Sequence, residues 1–550
     1  MKNNIAENYW YYICIAGLAL VYALGLQIDV MDIDAAQYAS IAREMAENGN
    51  YLQVQHRLKD YLDKPPLLFW LSSLSFQIFG ISNWAYKLPS FLSTLIGIFA
   101  LYRFAALFYS KDTAKLSALI YASCQALILI NNDVRTDTLL TNAVIFSIWQ
   151  LAAFMKNPKA VFFIGSAVGI ALGLLAKGPL GLMIPALAFG THFLLRGEWK
   201  QFFRPAWYGI ILLSLLMISP MIWGLYEQYG NYGPYFFFWE QSFGRLTGEN
   251  AFIQSQAVRQ DPSPLFFTHT FLWSFLPFSL FAVFGVFRKI LNLIVFRQKN
   301  SGNREQIALG GFVLTFIAMS MSQYKLPHYI YPAYPLAAVL TARFILLMTE
   351  KQRPYWQYFI RYFQLFVTIS LLGIAVWMGT QWFGVAQLII WILFAVFALL
   401  SILAFFNVHK KISVVMPSVL AIIAANFIVN GFFYPQLLKY QGTKELANYI
   451  EQKQISIDNV YTYKSNFHSL DFYSQSIVQA IYSKERISSW NKTAYLIVPN
   501  DEMHEIEDSG ISYEEMENFY YYPVTLITGK FLSPETRDQK LRKLNLIKIN

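Results

Sequence analysis

The sequence predicts an all-α polytopic membrane protein of about 13 transmembrane helices, with a small α/β domain at its C-terminal end outside the membrane. Three observations carry this. Of 550 residues, 56% are hydrophobic and only 14% charged, with a mean hydropathy of +0.37, which is too apolar for a soluble chain of this length. Apolar stretches recur at the length that a hydrocarbon layer of roughly 30 Å demands, about 20 residues at about 1.5 Å of rise each. From about Pro435 the composition turns polar.

The expected spans are 9–28, 88–109, 114–131, 136–155, 159–176, 179–195, 206–226, 265–287, 306–322, 328–349, 358–379, 384–406 and 412–434. The first follows Lys2, exceeds a signal-peptide core and has no clear small-residue cleavage site, so it reads as a retained anchor. With the N-terminus in the cytoplasm, Lys111 and Lys115, Lys156 and Lys159, Arg196, Lys200 and Arg204, the cluster from Arg288 to Arg304, Lys351 and Arg353, and Lys410 and Lys411 all fall inside. That satisfies the positive-inside rule at every inward loop. The net charge of +10 is therefore topological: the basic residues form no contiguous face for nucleic acid. Cys14 and Cys124 both lie in apolar segments and offer no disulfide framework.

The same arrangement places the loop 29–66, the loop 226–264 and the connections near 131–136, 176–179 and 323–328 on the outer face. Residues 1–434 then form the membrane domain and 435–550 an outer soluble domain. The segment 67–80 is apolar but too short to span, and reads as an interfacial or re-entrant helix. Beyond 435 we expect a helix after Thr443, strands at 459–463, 494–498 and 523–528, and a capping box from Ser512 to Glu515 opening another short helix.

The densest polar chemistry lies in the loop 29–66. It opens with Asp32 and Asp34 and closes with Asp63-Lys64-Pro65-Pro66. After Asp34, residues Tyr38, Ile41, Ala42 and Met45 share one helical face and Gly49 supplies the stop. Asp34 with Gln37 three residues on also reads as a capping pair. The functional reading is a carboxylate at the bilayer rim that orients an acceptor hydroxyl or takes its proton, with Asp32 as the competitor for that role. Proline at a first helical turn and the ammonium of Lys64 make a phosphate site, against a snorkelling lysine as the plain alternative.

Further charges stand where hydrocarbon makes them costly. Asp133, Arg135 and Asp137 join two spans, Lys177-Gly178-Pro179 joins two more, and Lys325-Leu326-Pro327-His328-Tyr329 a third pair. Any one reads as an internal ion pair or a snorkelling charge, but together, on one side, they point to a shared polar cavity. In 226–264 an aromatic run ends in Glu240, Gln241 and Arg245, and the arginine fork suits a phosphate. There is no Gly-rich phosphate loop, no HExxH, no GxSxG and no His/Cys cluster. His56, His269 and His328 are isolated in sequence and read as hydrogen-bonded interface residues. No cofactor is required, and no motif indicates a divalent metal.

Taken in order, the Asp-x-x-x-Tyr-Ala helix start at Asp34, the Lys64-Pro-Pro-Leu exit, the Lys177-Gly-Pro turn, Glu240 with Arg245, and Lys325-Leu-Pro-x-Tyr329 resemble the lipid A aminoarabinose transferases. These belong to the GT-C superfamily of integral-membrane glycosyltransferases, which includes protein O-mannosyltransferases. The resemblance covers roughly residues 9–440. It implies transfer of a sugar from a polyprenyl-phosphate carrier on the outer face of the inner membrane to a glycolipid or protein acceptor. By the same resemblance Asp34 matches the catalytic aspartate, and Lys64, Arg245 and Lys325 match positions around the carrier phosphate. Asp63, Asp137, Arg135, Lys177, Glu240 and Tyr329 line the cavity. The chain departs from the family's Asp-Glu-x-Arg-Tyr run at Ala35 and Gln37, and Gln241 stands where a histidine is expected.

The expected reaction is a single inverting displacement: Asp34 positions or deprotonates the acceptor while the cations neutralise the departing lipid phosphate. The competing readings are transfer to protein, as in the O-mannosyltransferases, and a flippase or transporter for a lipid-linked sugar. A transporter is expected to show internal repeats and mid-span charges, and neither is evident.

Overall fold

The structure, a computed structural model, describes residues 2–244, 263–294, 305–322, 324–350, 354–407, 410–488, 490 and 493–549. Arg245, the arginine expected at the carrier phosphate, and the inner-loop residues Arg297, Lys299, Arg304, Lys351 and Arg353 lie outside the described residues.

The chain is a multi-pass membrane protein. Among the described residues eight helices are long and apolar enough to cross a bilayer, or ten if each of two bent pairs is one span. The remaining three of the thirteen expected positions hold shorter or interrupted helices. Leu180–Arg196 carries Pro185 within it, Ile307–Met321 is only 15 residues long, and the third position divides into Phe266–Ser274 and Ser279–Ile294 around Pro277. Proline removes a backbone donor and crowds the preceding turn.

The N-terminal half runs α1 (Lys2–Gln27), α2 (Asp34–Asn48), α3 (Leu67–Phe79), α4 (Asn83–Phe108), α5 (Lys111–Ser123), α6 (Gln125–Asn132), α7 (Thr136–Lys156), α8 (Ala160–Lys177) and α9 (Leu180–Arg196). The α5 and α6 axes meet at 47°. At that bend the Gln125 amide leaves the helical ladder and donates to Leu276 O at 3.0 Å.

A buried amide network then fixes the segment between α6 and α7. Asn131 and Asn142 each donate to Thr94 Oγ1, at 3.1 and 3.3 Å, and Asn132 donates to Asn430 Oδ1 at 2.8 Å. Such interhelical bonds are the usual fastening where lipid supplies no hydrophobic drive between helices. In the α8–α9 hairpin Gly173 lies against Gly181, and a Cβ on Gly181 would collide with Gly173 backbone. This close approach sets the turn that carries Lys177.

Helix α2 follows its sequence pattern: Tyr38, Ile41, Ala42 and Met45 are buried, and Gly49 ends it at φ 69°. The capping reading of Asp34 fails. Ile33 occupies the cap position and no side chain caps the helix, so the Asp34 carboxylate is left for another partner. A hairpin of β1 (Gln55–His56) and β2 (Lys59–Asp60) turns through Arg57 and Leu58, both in the left-handed region at φ 54° and 61°. That turn is held from outside it. Glu44 accepts from the Arg57 amide at 2.7 Å, and the Arg57 guanidinium binds Asp471 and Val478 O at 2.5 Å each. Helix α3 starts after Pro66, as the proline pattern predicts, and its 13 residues are too few to span.

The polar C-terminal region packs helices around a five-stranded mixed sheet in the order β4-β3-β5-β7-β6. The strands are β3 (Val460–Tyr463), β4 (Gln479–Ile481), β5 (Ala494–Pro499), β6 (Tyr513–Tyr521) and β7 (Arg542–Ile549). β3 is parallel to β4 and β5, whereas β7 is antiparallel to β5 and β6. The helix Thr443–Gln452 and two of the expected strands are present.

Two expectations are corrected. Residues 512–515 enter strand β6, because pairing with β7 satisfies their backbone where a short exposed helix would not. Residues 523–528 form a turn: Tyr522 stacks on Phe531 at 3.7 Å and its hydroxyl donates to Leu526 O at 2.8 Å.

The first loop lies between the membrane helices and this C-terminal region and bonds to both. Asp29 accepts from Asn83 and Lys444 at 2.7 and 2.6 Å, Tyr473 OH accepts from the Val30 amide, and Ser40 donates to His468 O.

Candidate functional site

The expected site residues fall into three linked groups at one end of the helical body. In the first, Asp34 opens α2 and accepts a hydrogen bond from Arg135, the residue that precedes α7. The Nε of Arg135 donates to Asp133 Oδ2 at 2.9 Å, and its second terminal nitrogen lies 2.9 Å from the same oxygen. One planar fork thus holds two carboxylates from different parts of the chain, with a fixed geometry that a lysine ammonium does not supply. The Asp34 side chain stays 40% exposed, whereas that of Arg135 is 16% exposed. The carboxylate faces open space and the guanidinium backs it.

The second group stands at the exit of the loop. Lys64 Nζ lies 2.5 Å from Asp63 Oδ2, and Gln241 donates both to Asp63 O at 2.8 Å and to Asp63 Oδ1 at 3.0 Å. Gln241, in the position where the resembling family has histidine, therefore joins the aromatic loop to the Lys64 turn through an amide. Its neighbour Glu240 accepts from Tyr232 OH at 3.2 Å.

The third group is buried. Lys177 Nζ lies 2.5 Å from Asp137 Oδ1 and 3.8 Å from the centre of the Tyr329 ring, and His328 Nε2 lies 3.6 Å from Asp137 Oδ2. Lys325, also buried, precedes the short helix Pro327–Ala333 that carries His328 and Tyr329.

Shared electrostatic neighbours join the groups. His328 is within range of Arg135, Lys177 and Lys64. Tyr38, on α2, is within range of Asp34, Asp63 and Arg135. Its phenol is pushed well above the usual range, first by burial and then by Tyr61 and the two carboxylates, so at neutral pH it is an uncharged hydroxyl.

Each of Arg135, Lys64 and Lys177 holds an internal carboxylate. A phosphate arriving among them would share these cations, and the fixed carboxylates set where it sits. Among the described residues no group of three or more His, Cys, Asp or Glu side chains is placed to hold a metal ion.

Asp32 is placed elsewhere. Its carboxylate is buried against the C-terminal region, where Ser469 donates from its amide at 3.1 Å and its hydroxyl at 2.5 Å, and its own amide donates to Gln441 at 2.9 Å. Burial pushes its carboxyl up to about 6. His328, isolated in sequence and expected only as a hydrogen-bonded interface residue, is brought by the fold to Asp137.

The architecture joins bundled spanning helices, the loop carrying Asp34 and a small C-terminal sheet. It superposes on ArnT from Cupriavidus metallidurans bound to undecaprenyl phosphate with a TM-score of 0.73 and 16% identity, covering 98% of each chain. In sequence the chain is similar to aminoarabinose transferases. It is 26% identical over 355 residues to undecaprenyl phosphate-alpha-4-amino-4-deoxy-L-arabinose arabinosyl transferase 2 of Proteus mirabilis, covering 62% of this chain and 61% of that one. It is also 26% identical to the corresponding transferase of Erwinia tasmaniensis, covering 59% and 57%. The matches span about three fifths of the length of these relatives. Residues 63–223 match a family model described as dolichyl-phosphate-mannose-protein mannosyltransferase, a stretch that contains Lys64, Arg135, Asp137 and Lys177.

Proposed function

We propose that the chain is a glycosyltransferase that moves a sugar from a polyprenyl-phosphate donor to a lipid A-like glycolipid on the outer face of the bacterial inner membrane. The N-terminus is cytoplasmic in this reading, residues 435–550 are periplasmic, and the loop 29–66 carries the catalytic group. The observation that supports it best is the Asp34 to Arg135 pair: a 40% exposed carboxylate fixed by a guanidinium that shares His328 as an electrostatic neighbour with Lys64 and Lys177. The likeness to transferases named for undecaprenyl-phosphate aminoarabinose agrees with that chemistry.

In this mechanism Asp34 orients the acceptor hydroxyl, or takes its proton, as the hydroxyl attacks the anomeric carbon from the face opposite the phosphate. The bond from carbon to phosphate oxygen breaks with inversion. Lys64, with Lys325 and Arg245, meets the charge that develops on the leaving phosphate. Asp137 and Lys177 support the cavity wall. Asp32 takes no part in the chemistry and anchors the loop. Transfer to a protein acceptor is the second reading, favoured by the family model over residues 63–223.

The deciding experiment compares lipid A, glycolipid and periplasmic glycoprotein masses in cells carrying the gene, lacking it, or carrying Asp34→Asn. The proposal expects one sugar residue on lipid A that is lost on deletion and not restored by the variant. A sugar found on protein selects the second reading. Accumulation of lipid-linked sugar on the inner leaflet, with no change in any glycan, replaces both by a flippase.

A further inference from the structure

The C-terminal sheet holds a polar cavity of about 270 Å³ that the transfer chemistry does not use. Its position follows from topology. The chain runs from β3 outward to β4, then returns across β3 to β5 on the other side. The strand order therefore reverses between β3 and β5, and in open α/β sheets a crevice opens at the carboxyl ends of the strands at such a reversal.

The cavity is lined from that edge. Ser465 and Asn466 follow β3, Asp501 and Glu502 follow β5, Tyr521 ends β6, and Arg542 starts β7. The antiparallel registers Pro499 to Leu544 and Tyr521 to Arg542 bring the last two strands to the same edge.

The lining defines a ligand class. Its one cation, Arg542, lies 3.5 Å from Asp501. Against the two carboxylates Asp501 and Glu502 that single cation leaves the lining net negative, which disfavours an anion such as phosphate. Asp501 and Glu502 accept hydrogen bonds, the Asn466 amide and the Ser465 hydroxyl both donate and accept, and Tyr521 packs edge-on to Phe467 with ring centres 5.3 Å apart. Acceptors for neighbouring hydroxyls beside an aromatic surface for C–H groups suit a sugar ring. The volume lies just under the roughly 300 Å³ at which drug-sized pockets begin, which admits one ring and not a chain.

We infer that this edge of the sheet is a carbohydrate-binding site for a single sugar ring. It faces the first loop: Phe467 runs into the helix His468–Tyr473, whose residues His468 and Ser469 hold Ser40 and Asp32. The inference is independent of the transfer reaction and stands or falls without it.

The test is saturation-transfer difference NMR on the full chain in detergent, with methyl glycosides of glucosamine, galactose and arabinose as probes. Wild type and Asp34→Asn are expected to give equal ring-proton signals for at least one probe. Asn466→Ala with Asp501→Ala, both at exposed positions and so compatible with folding, weakens that binding about tenfold or more through the lost hydrogen bonds. Melting temperatures confirm that the double variant is folded. Absence of signal from all three probes, or an undiminished signal in the folded double variant, overturns the site. A signal lost in Asp34→Asn but kept in the double variant assigns the binding to the first-loop cavity and overturns it equally.

Discussion

Asp34 and Arg135, 101 positions apart in sequence, meet in a hydrogen bond, and Asp133 holds the same guanidinium from behind. Neither α2 nor α7 could aim the Asp34 carboxylate alone, since α2 supplies its position and the segment before α7 its orientation.

The fork is therefore expected to matter more than the charge. Arg135→Lys keeps one positive charge but loses the rigid planar fork that fixes Asp34 relative to Asp133, so turnover should fall about 10²-fold, as misplacing a catalytic group typically costs. Donor binding should change far less. Rates and apparent KM in membranes carrying the variant check this, and a kcat within threefold of wild type would sink the positioning role.

Lys177 makes a stability prediction. Asp137 is buried, and Lys177→Ala leaves it without its closest cation. Removing one partner of a buried pair costs about 3–5 kcal/mol, so the melting temperature of the purified protein should drop sharply. Lys177→Met combined with Asp137→Asn removes both charges and should recover most of that loss. Recovery of stability without recovery of activity separates the pair's structural role from its place in the cavity.

At Lys64 the effect should fall on the donor. A charge-assisted bond to phosphate contributes about 1.5–3 kcal/mol, so Lys64→Ala should raise the apparent KM for the polyprenyl-linked sugar by about tenfold or more. Gln241→Ala leaves the charge but frees the Asp63 turn that carries it, and should give a smaller rise. Steady-state kinetics with increasing donor distinguish the two variants, and equal KM values in both would remove Lys64 from the phosphate site.

What the sequence made legible was local. The span positions, the buried face of α2, its stop at Gly49 and the start of α3 after Pro66 all rest on periodicity and turn chemistry within a few residues. The charged turns at 133–137, 177 and 325–329 were visible because charge is rare beside hydrocarbon. Partners were not visible. Nothing near Asp34 indicates Arg135, and nothing near Asp32 indicates Ser469, 437 positions away. Asp32 and Asp34, two positions apart, compete for one role in sequence, and the fold pairs Asp34 with Arg135 and Asp32 with Ser469 of the C-terminal region. Strand β6 was misread for the same reason, since its local capping pattern yields to a partner strand that arrives later in the chain.

That separation of Asp32 from the cavity gives a pH prediction. Burial raises the folded-state carboxyls of Asp32 and Asp471 to about 6 each, from 3.8. A raised acid binds its proton more tightly in the folded state, so its contribution is fully present below about pH 4 and is lost as pH rises toward 6. His468, whose Nδ1 lies 3.1 Å from His56 Nε2, has the opposite sign: burial lowers it to about 3, so its contribution grows as pH rises from 3 to 6.5. Between pH 4 and 6 the two acids outweigh the one base, and the contact between first loop and C-terminal region should weaken across that window. Asp32→Asn removes one of the two titrations while leaving the other groups unchanged. The difference in melting temperature between variant and wild type, followed from pH 4 to 7, isolates the Asp32 contribution: the variant should lose less stability than wild type up to pH 6, and the two curves should run parallel above it. Parallel curves through the whole range would mean that burial does not raise the Asp32 carboxyl in the folded protein.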